Sequence, residues 1–244
     1  MSKLGRIGKN ILIISPHADD HISCAGTIFK LQEERGMVPF ELVLTDSSKG
    51  QDFRSKKQAN QKTVSLMRLK ELTKASHFLG IKQTFLLNQP DLGLVSSPKL
   101  IFEVAKIIRK VQPQIVFING EFDAHPDHRA AFRLSLDAVK LSAMGVDTKK
   151  LGPSFRVPTV LCVEQMLPDR IQILVDITSF LDKKEKLLGL YMSQMNPKSL
   201  AFEKGMLAVR GYHLKKPTGF AAEAFTLQNE FPILGFEKNE TDIF

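Results

Sequence analysis

Two short segments carry most of the chemistry-bearing side chains of this 244-residue chain. The first, Ser15-Pro-His-Ala-Asp-Asp-His21, follows the apolar run Ile11–Ile14 and precedes a stretch of helical period that starts near Ala25. Imidazole and carboxylate are the donors that zinc accepts, so His17 and Asp20 can act as ligands while Asp19 points beside them at whatever the metal holds. The second, Glu121-Phe-Asp-Ala-His-Pro-Asp-His128, lies between the strand-like run Ile115–Asn119 and a helical pattern over Arg129–Leu141. Pro126 suits the first helical position, which makes His125 the cap, sets His128 in the first turn and leaves Asp127 at the positive helix end. That end predicts a neutral imidazole at His128, as a ligand requires, and leaves His125 free to carry a proton. Either cluster alone is compatible with helix capping. Together, at two strand ends, they supply His, Asp and His for a three-ligand metal site with an open position.

The elements that position these groups are legible from hydrophobic period. Strands are predicted at Ile11–Ser15, Phe40–Thr45, Thr84–Leu87, Ile115–Asn119, Thr159–Val163 and Ile171–Val175; several are apolar throughout, as strands covered on both faces are. Between them run helical stripes, one through Val64, Met67, Leu72, Ala75 and Leu79, another through Leu100, Val104, Ile108 and Val111, the latter stopping before Pro113. The alternation predicts an α/β fold, a Rossmann-like three-layer sandwich with a mainly parallel central sheet, in which ligands bind at the carboxyl ends of strands. Ser179 and Asp182 resemble a capping box and predict a helix through Leu187, Leu188 and Tyr191 to Asn196-Pro197. Residues 196–244 lack a clean period and predict loops and short strands that cover one domain spanning 1–244.

Composition narrows the partners. Lys plus Arg is 34 against 26 Asp plus Glu, a net charge of +8 that favours an anionic substrate without naming one. Nucleic acid is disfavoured: Trp is absent, Tyr numbers 2, and the Phe residues fall mostly within strands and helix stripes. No glycine-rich phosphate loop follows any strand. Only Cys24 and Cys162 are present, which fits a reducing cytoplasm. The basic N-terminal residues lead into an apolar run too short for a secretory core or a membrane span. A homo-oligomer stays open.

His-x-Asp-Asp after the first strand and His-Pro-Asp-His further on resemble the PIG-L/LmbE-like de-N-acetylase family, zinc hydrolases that act on N-acetylglucosaminyl compounds. Thr45-Asp-Ser-Ser-Lys-Gly50, Arg68-x-x-Glu71 followed by Leu79-Gly80, Pro90-Asp91 with Leu94, Asp176-Ile-Thr with the helix to Ser193-Gln194, and Ala222-Glu-Ala-Phe225 extend the likeness from about residue 11 to about residue 226. The resemblance implies zinc held by His17, Asp20 and His128, Asp19 as general base, and His125 stabilising the oxyanion or protonating the leaving amine. Asp127 would orient a histidine by hydrogen bond. The substrate would be a small N-acetylated sugar. Three positions depart from the family pattern: Ala18 stands where Pro is common, His21 where Glu is, and Tyr191 where His precedes Ser-Gln. His21 is expected to be exposed or to face substrate, outside the ligand set.

Among lesser candidates, Arg68 reads either as a surface ion pair with Glu71 or, by the resemblance, as a group aimed at substrate oxygens. Asp46 either caps its turn or binds a sugar hydroxyl. Glu223 is a candidate to reach the site from the tail. Two other functions compete: a metal-dependent hydrolase of a different amide or ester, and a non-enzymatic basic binding protein.

Overall fold

The computed structural model describes residues 9–50, 52–54, 60–164, 171–216 and 218–228. β1 (Asn10–Ser15) is apolar along its middle because both of its faces are covered: Leu12 and Ile14 join one core, Ile11 and Ile13 the other. A 3-10 turn, Asp20–Cys24, leads into α1 (Ala25–Arg35), which stops at Gly36 in the left-handed conformation. β2 (Val38–Thr45), α2 (Gln61–Phe78), β3 (Thr84–Gln89), α3 (Pro98–Val111), β4 (Ile115–Asn119), α4 (Pro126–Ala143), the short α5 (Thr148–Leu151) and β5 (Thr159–Val163) follow. Then come β6 (Ile173–Asp176), α6 (Leu181–Leu188), α7 (Pro197–Tyr212) and β7 (Ala222–Leu227).

Among the described residues these strands form one seven-stranded sheet of order β3-β2-β1-β4-β5-β7-β6. The first five are parallel, and β7 runs antiparallel to both β5 and β6. α3 and α4 pack on one face of the sheet; α1, α6 and the ends of α2 and α7 pack on the other. The result is a helix–sheet–helix sandwich with a mixed, mostly parallel centre. The order reverses at β1, whose neighbours are β2 on one side and β4 on the other. Loops leaving β1 and β4 therefore diverge to opposite faces and open a crevice between them. No described helix is long and apolar enough to cross a membrane.

The C-terminal third differs from expectation. Asn196-Pro197 opens a helix instead of closing one: the Asn196 side chain accepts the Ser199 amide at 2.8 Å, and Pro197 takes the first helical position. Ser179 and Asp182 form no capping box; a 3-10 turn over Thr178–Phe180 precedes α6, which ends at Leu188, and the side chain that meets the turn is Asp176, accepting the Thr178 amide. The tail is not a loose cover: α7 packs on the sheet and β7 is inserted between β5 and β6. Residues 229–244 lie outside the described residues.

Candidate functional site

The loops after β1, β2, β3 and β4 meet at the crevice. The β1 loop supplies His17, Asp19 and Asp20, the β3 loop Asp91 and Leu92, and the start of α4 supplies His125, Asp127 and His128. His17 Nδ1 lies 3.2 Å from His128 Nε2 and 3.4 Å from one Asp20 oxygen, while the other Asp20 oxygen lies 3.3 Å from His128 Nε2. All three side chains are largely buried. Two further donor groupings come within reach of one another, His17 with His125 and His128, and His17 with Asp91 and Asp127.

Behind this triangle stands a ring of carboxylates. His17 Nε2 sits 3.3 Å from both Asp91 Oδ1 and Asp127 Oδ2. Asp127 is itself held by the amides of Leu92 at 2.7 Å and Leu94 at 3.2 Å. His128 Nδ1 lies 2.9 Å from Asp123 Oδ2 but out of line for a hydrogen bond, so the contact is one of charge. Burial works against charge on His17, yet Asp127, Asp20 and Asp91 raise it well above its ordinary value. For His128, burial is likewise outweighed, by Asp20 and Asp123, and the value rises to about 9. Asp20 shifts well downward despite burial, driven by His128 and His17. Asp91 falls to about 2, with burial again opposed by His17 and the Lys49 amide. The carboxylates around His17 and His128 thus favour the charged forms of both rings despite burial.

This reverses the charge expectation for the two α4 histidines. The carboxylates outweigh the helix end at His128 and favour its charged form. His125, by contrast, is lowered by burial and by His17 and His128. Its Nδ1 accepts the Asp127 amide at 3.2 Å as the helix cap, which requires an unprotonated Nδ1 and places the ring hydrogen of the neutral form on Nε2.

Arg68 is buried and donates to Asp19 Oδ1 at 2.5 Å. It makes no surface pair with Glu71, which is also buried and accepts the amide and hydroxyl of Ser193. These residues line or support a cavity of about 290 Å³ whose wall includes His17, Asp19, Asp20, Arg68, His125 and His128.

Other candidates lie elsewhere. Asp46 does not line the cavity; its Oδ1 accepts the amides of Ser48 and Asp91, so it caps the turn. His21 is neither exposed nor aimed at the cavity: it is fully buried, with Nδ1 2.6 Å from Glu41 Oε1 and Nε2 3.0 Å from the Tyr191 hydroxyl, which also donates to the Ala18 carbonyl. Glu223 does not reach the cavity. It accepts the amides of Gly26 and Thr27 at the start of α1 and pairs with the buried Lys184 at 2.7 Å. Asp91 and Asp123 escaped selection from sequence. Each stands at a strand end, the one slot where a carboxylate is worth testing.

Comparison with known proteins follows the same lines. Residues 12–139 match the family described as PIG-L: GlcNAc-PI de-N-acetylase. The chain is 33% identical over 140 residues to a diacetylchitobiose deacetylase of Thermococcus kodakarensis, covering 56% of this chain and 51% of that protein. The match thus spans about half the length of that relative. It is 25% identical over 189 residues to a probable N-acetyl-alpha-D-glucosaminyl L-malate deacetylase 2 of Bacillus cereus, covering 76% of this chain and 84% of the relative. The crystal structure of a conserved protein of Thermus thermophilus superposes with a TM-score of 0.77 at 30% identity, over 93% of this chain and 96% of that one.

Proposed function

This chain belongs to the PIG-L family of GlcNAc-PI de-N-acetylases, and on that ground we propose that it is a zinc-dependent hydrolase that removes the acetyl group from an N-acetylated amino sugar. The observation that carries the reading is the cluster of His17 Nδ1, His128 Nε2 and the Asp20 carboxylate: the two nitrogens lie 3.2 Å apart, and each has a different Asp20 oxygen at 3.3 to 3.4 Å. Ligands bonded to zinc at about 2.0–2.1 Å in a tetrahedron stand roughly 3.3–3.4 Å apart, so the residues fit the ion. The other two groupings fit less well, because His125 Nδ1 caps α4 and the Asp91 and Asp127 carboxylates face the far nitrogen of His17. In our assignment those carboxylates fix the tautomer of His17, and Asp123 places a negative charge beside the far nitrogen of His128.

A bound zinc ion supplies Lewis acidity, bringing the pKa of a water toward about 7 and polarising an acyl oxygen. The chain's own groups do the rest. Asp19 takes a proton from the attacking water and returns it to the leaving nitrogen, so that water and amide become acetic acid, which ionises to acetate in solution, and free amine. Arg68 holds Asp19 through their hydrogen bond and keeps its free oxygen turned to the cavity. The Nε2–H of neutral His125 donates to the oxyanion that develops on the acetamide. His125 is therefore assigned the oxyanion role, and Asp19 the delivery of the proton to the amine.

The chain-wide basic excess is not concentrated here. Asp19, Asp20, Asp91 and Glu203 line the cavity against Lys49 and Arg68, and Arg68 is already paired. The test is a panel of N-acetylglucosaminides treated with zinc-loaded protein, with acetate and free amine measured together. Equimolar release from at least one glycoside is expected; no release from any of them would contradict the reading.

A further inference from the structure

The backbone at Leu92 has φ +57°, the left-handed region that glycine adopts freely and asparagine tolerates but leucine does not. The turn is pinned there by the site. Asp91 faces His17, and the Leu92 and Leu94 amides both donate to the Asp127 carboxylate, so the loop cannot relax without moving a carboxylate behind His17. Glycine would satisfy those two bonds without strain. The leucine side chain gains little from the fold in return, being 52% exposed while it lines the cavity. A strained residue with a half-exposed apolar side chain, placed at the wall of a reaction cavity, points to a ligand contact.

Depth says which part of the ligand. His17 and His128 are 8% and 6% exposed and form the cavity floor, whereas Leu92 stands at its mouth. An acetamide held at the floor sends the sugar ring and its substituent outward past Leu92. Ile22 and Met195 line the same cavity and add apolar wall. We infer that Leu92 is a specificity-determining residue that gives this site a preference for N-acetylamino sugars bearing an apolar aglycone. This rests on the deacetylase reading above and deepens it.

The experiment compares kcat/KM for 4-nitrophenyl N-acetyl-β-glucosaminide and for free N-acetylglucosamine in the wild type and in Leu92→Asn, Leu92→Gly and Leu92→Met. Asparagine and glycine suit the backbone but remove the apolar contact; methionine keeps it. The aryl-to-free ratio is expected to fall about tenfold in Leu92→Asn and Leu92→Gly, mainly through KM, and to persist in Leu92→Met. Melting temperatures of the Asn and Gly variants should be no lower than that of the wild type, which separates a lost contact from a damaged fold. An unchanged ratio in Leu92→Asn and Leu92→Gly overturns the inference. If the wild type hydrolyses neither compound, the glycoside panel above decides the deacetylase reading, and calorimetric binding of 4-nitrophenyl β-glucosaminide against glucosamine decides the role of Leu92. A wild-type preference for the aryl glycoside that Leu92→Asn abolishes supports the apolar contact, and the absence of any preference overturns it.

Discussion

Arg68 and Asp19, 49 residues apart in the chain, meet in a 2.5 Å hydrogen bond at the wall of the cavity. Arg68 reaches Asp19 from the stripe of α2 that carries Val64, Leu72 and Ala75 into the body of the protein. A buried guanidinium spent on one loop carboxylate fixes where that carboxylate points. Asp19→Asn is therefore expected to keep its metal and lose roughly 10²–10⁴-fold in kcat, the range for a missing general base. Arg68→Met should also keep the metal while kcat falls by about tenfold or more, since the base loses its orientation. Zinc content and single-turnover rates check both; a metal-free or fast Asp19→Asn protein would show that the two adjacent aspartates have been assigned in the wrong order.

Carboxylates that touch no metal should still govern its binding. Asp91→Asn and Asp127→Asn remove the charge facing His17 Nε2, and each is expected to weaken zinc affinity by about 10–100-fold. Competition with a chromogenic chelator measures this. Affinities equal to that of the wild type would leave the carboxylate ring without a role at the metal.

Proton competition gives the pH dependence its sign. Without metal, His128 holds its proton up to about 9, and His17 is raised as well, whereas a ligand must be deprotonated. Zinc affinity should accordingly rise with pH across the neutral range, and binding near pH 7 should release protons. Calorimetry in buffers of different ionisation enthalpy reads the protons directly; heats that do not depend on the buffer would contradict it.

The tail is tied to the site loop through Glu223, which caps α1 directly after the turn that carries Asp20. Its partner Lys184 is 1% exposed. Lys184→Met leaves the carboxylate buried without its cation, and a loss of about 3–5 kcal/mol is expected in urea unfolding. Adding Glu223→Gln to that variant should recover part of the loss, because the uncompensated charge is gone while one of the two amides at the start of α1 keeps an acceptor. A Lys184→Met protein as stable as the wild type would show that the pair does not hold this corner together.

Legibility from sequence tracked how local the signal was. Ile11–Ile14 and Ile115–Ile118 announce strands buried on both faces because nothing polar interrupts them. The His and Asp residues were recognisable because they crowd into two short segments at strand ends. α7 was missed because Asn196-Pro197 reads equally as a stop or a start, and because Gly205 and Gly211 lower the helical signal. The charge states at His125 and His128 depended on burial and on His17 and Asp20, which only the folded sheet brings to them. His21 illustrates the same limit: its partners Glu41 and Tyr191 are 20 and 170 residues away. Arg68 and Glu71 did leave a trace, since two charged residues fall within an otherwise apolar stripe of α2.

The claim on which the rest depends is that His17, Asp20 and His128 hold one zinc ion that deacetylation requires. The most direct measurement is zinc per chain, by plasma spectrometry, alongside acetate release for the wild type, for chelator-stripped wild type restored with zinc, and for His128→Ala. About one zinc per chain is expected in the wild type, with activity lost on stripping and regained on restoration, and His128→Ala should be both empty and inactive. A His128→Ala protein with full zinc, or a stripped wild type that still releases acetate, would contradict the account.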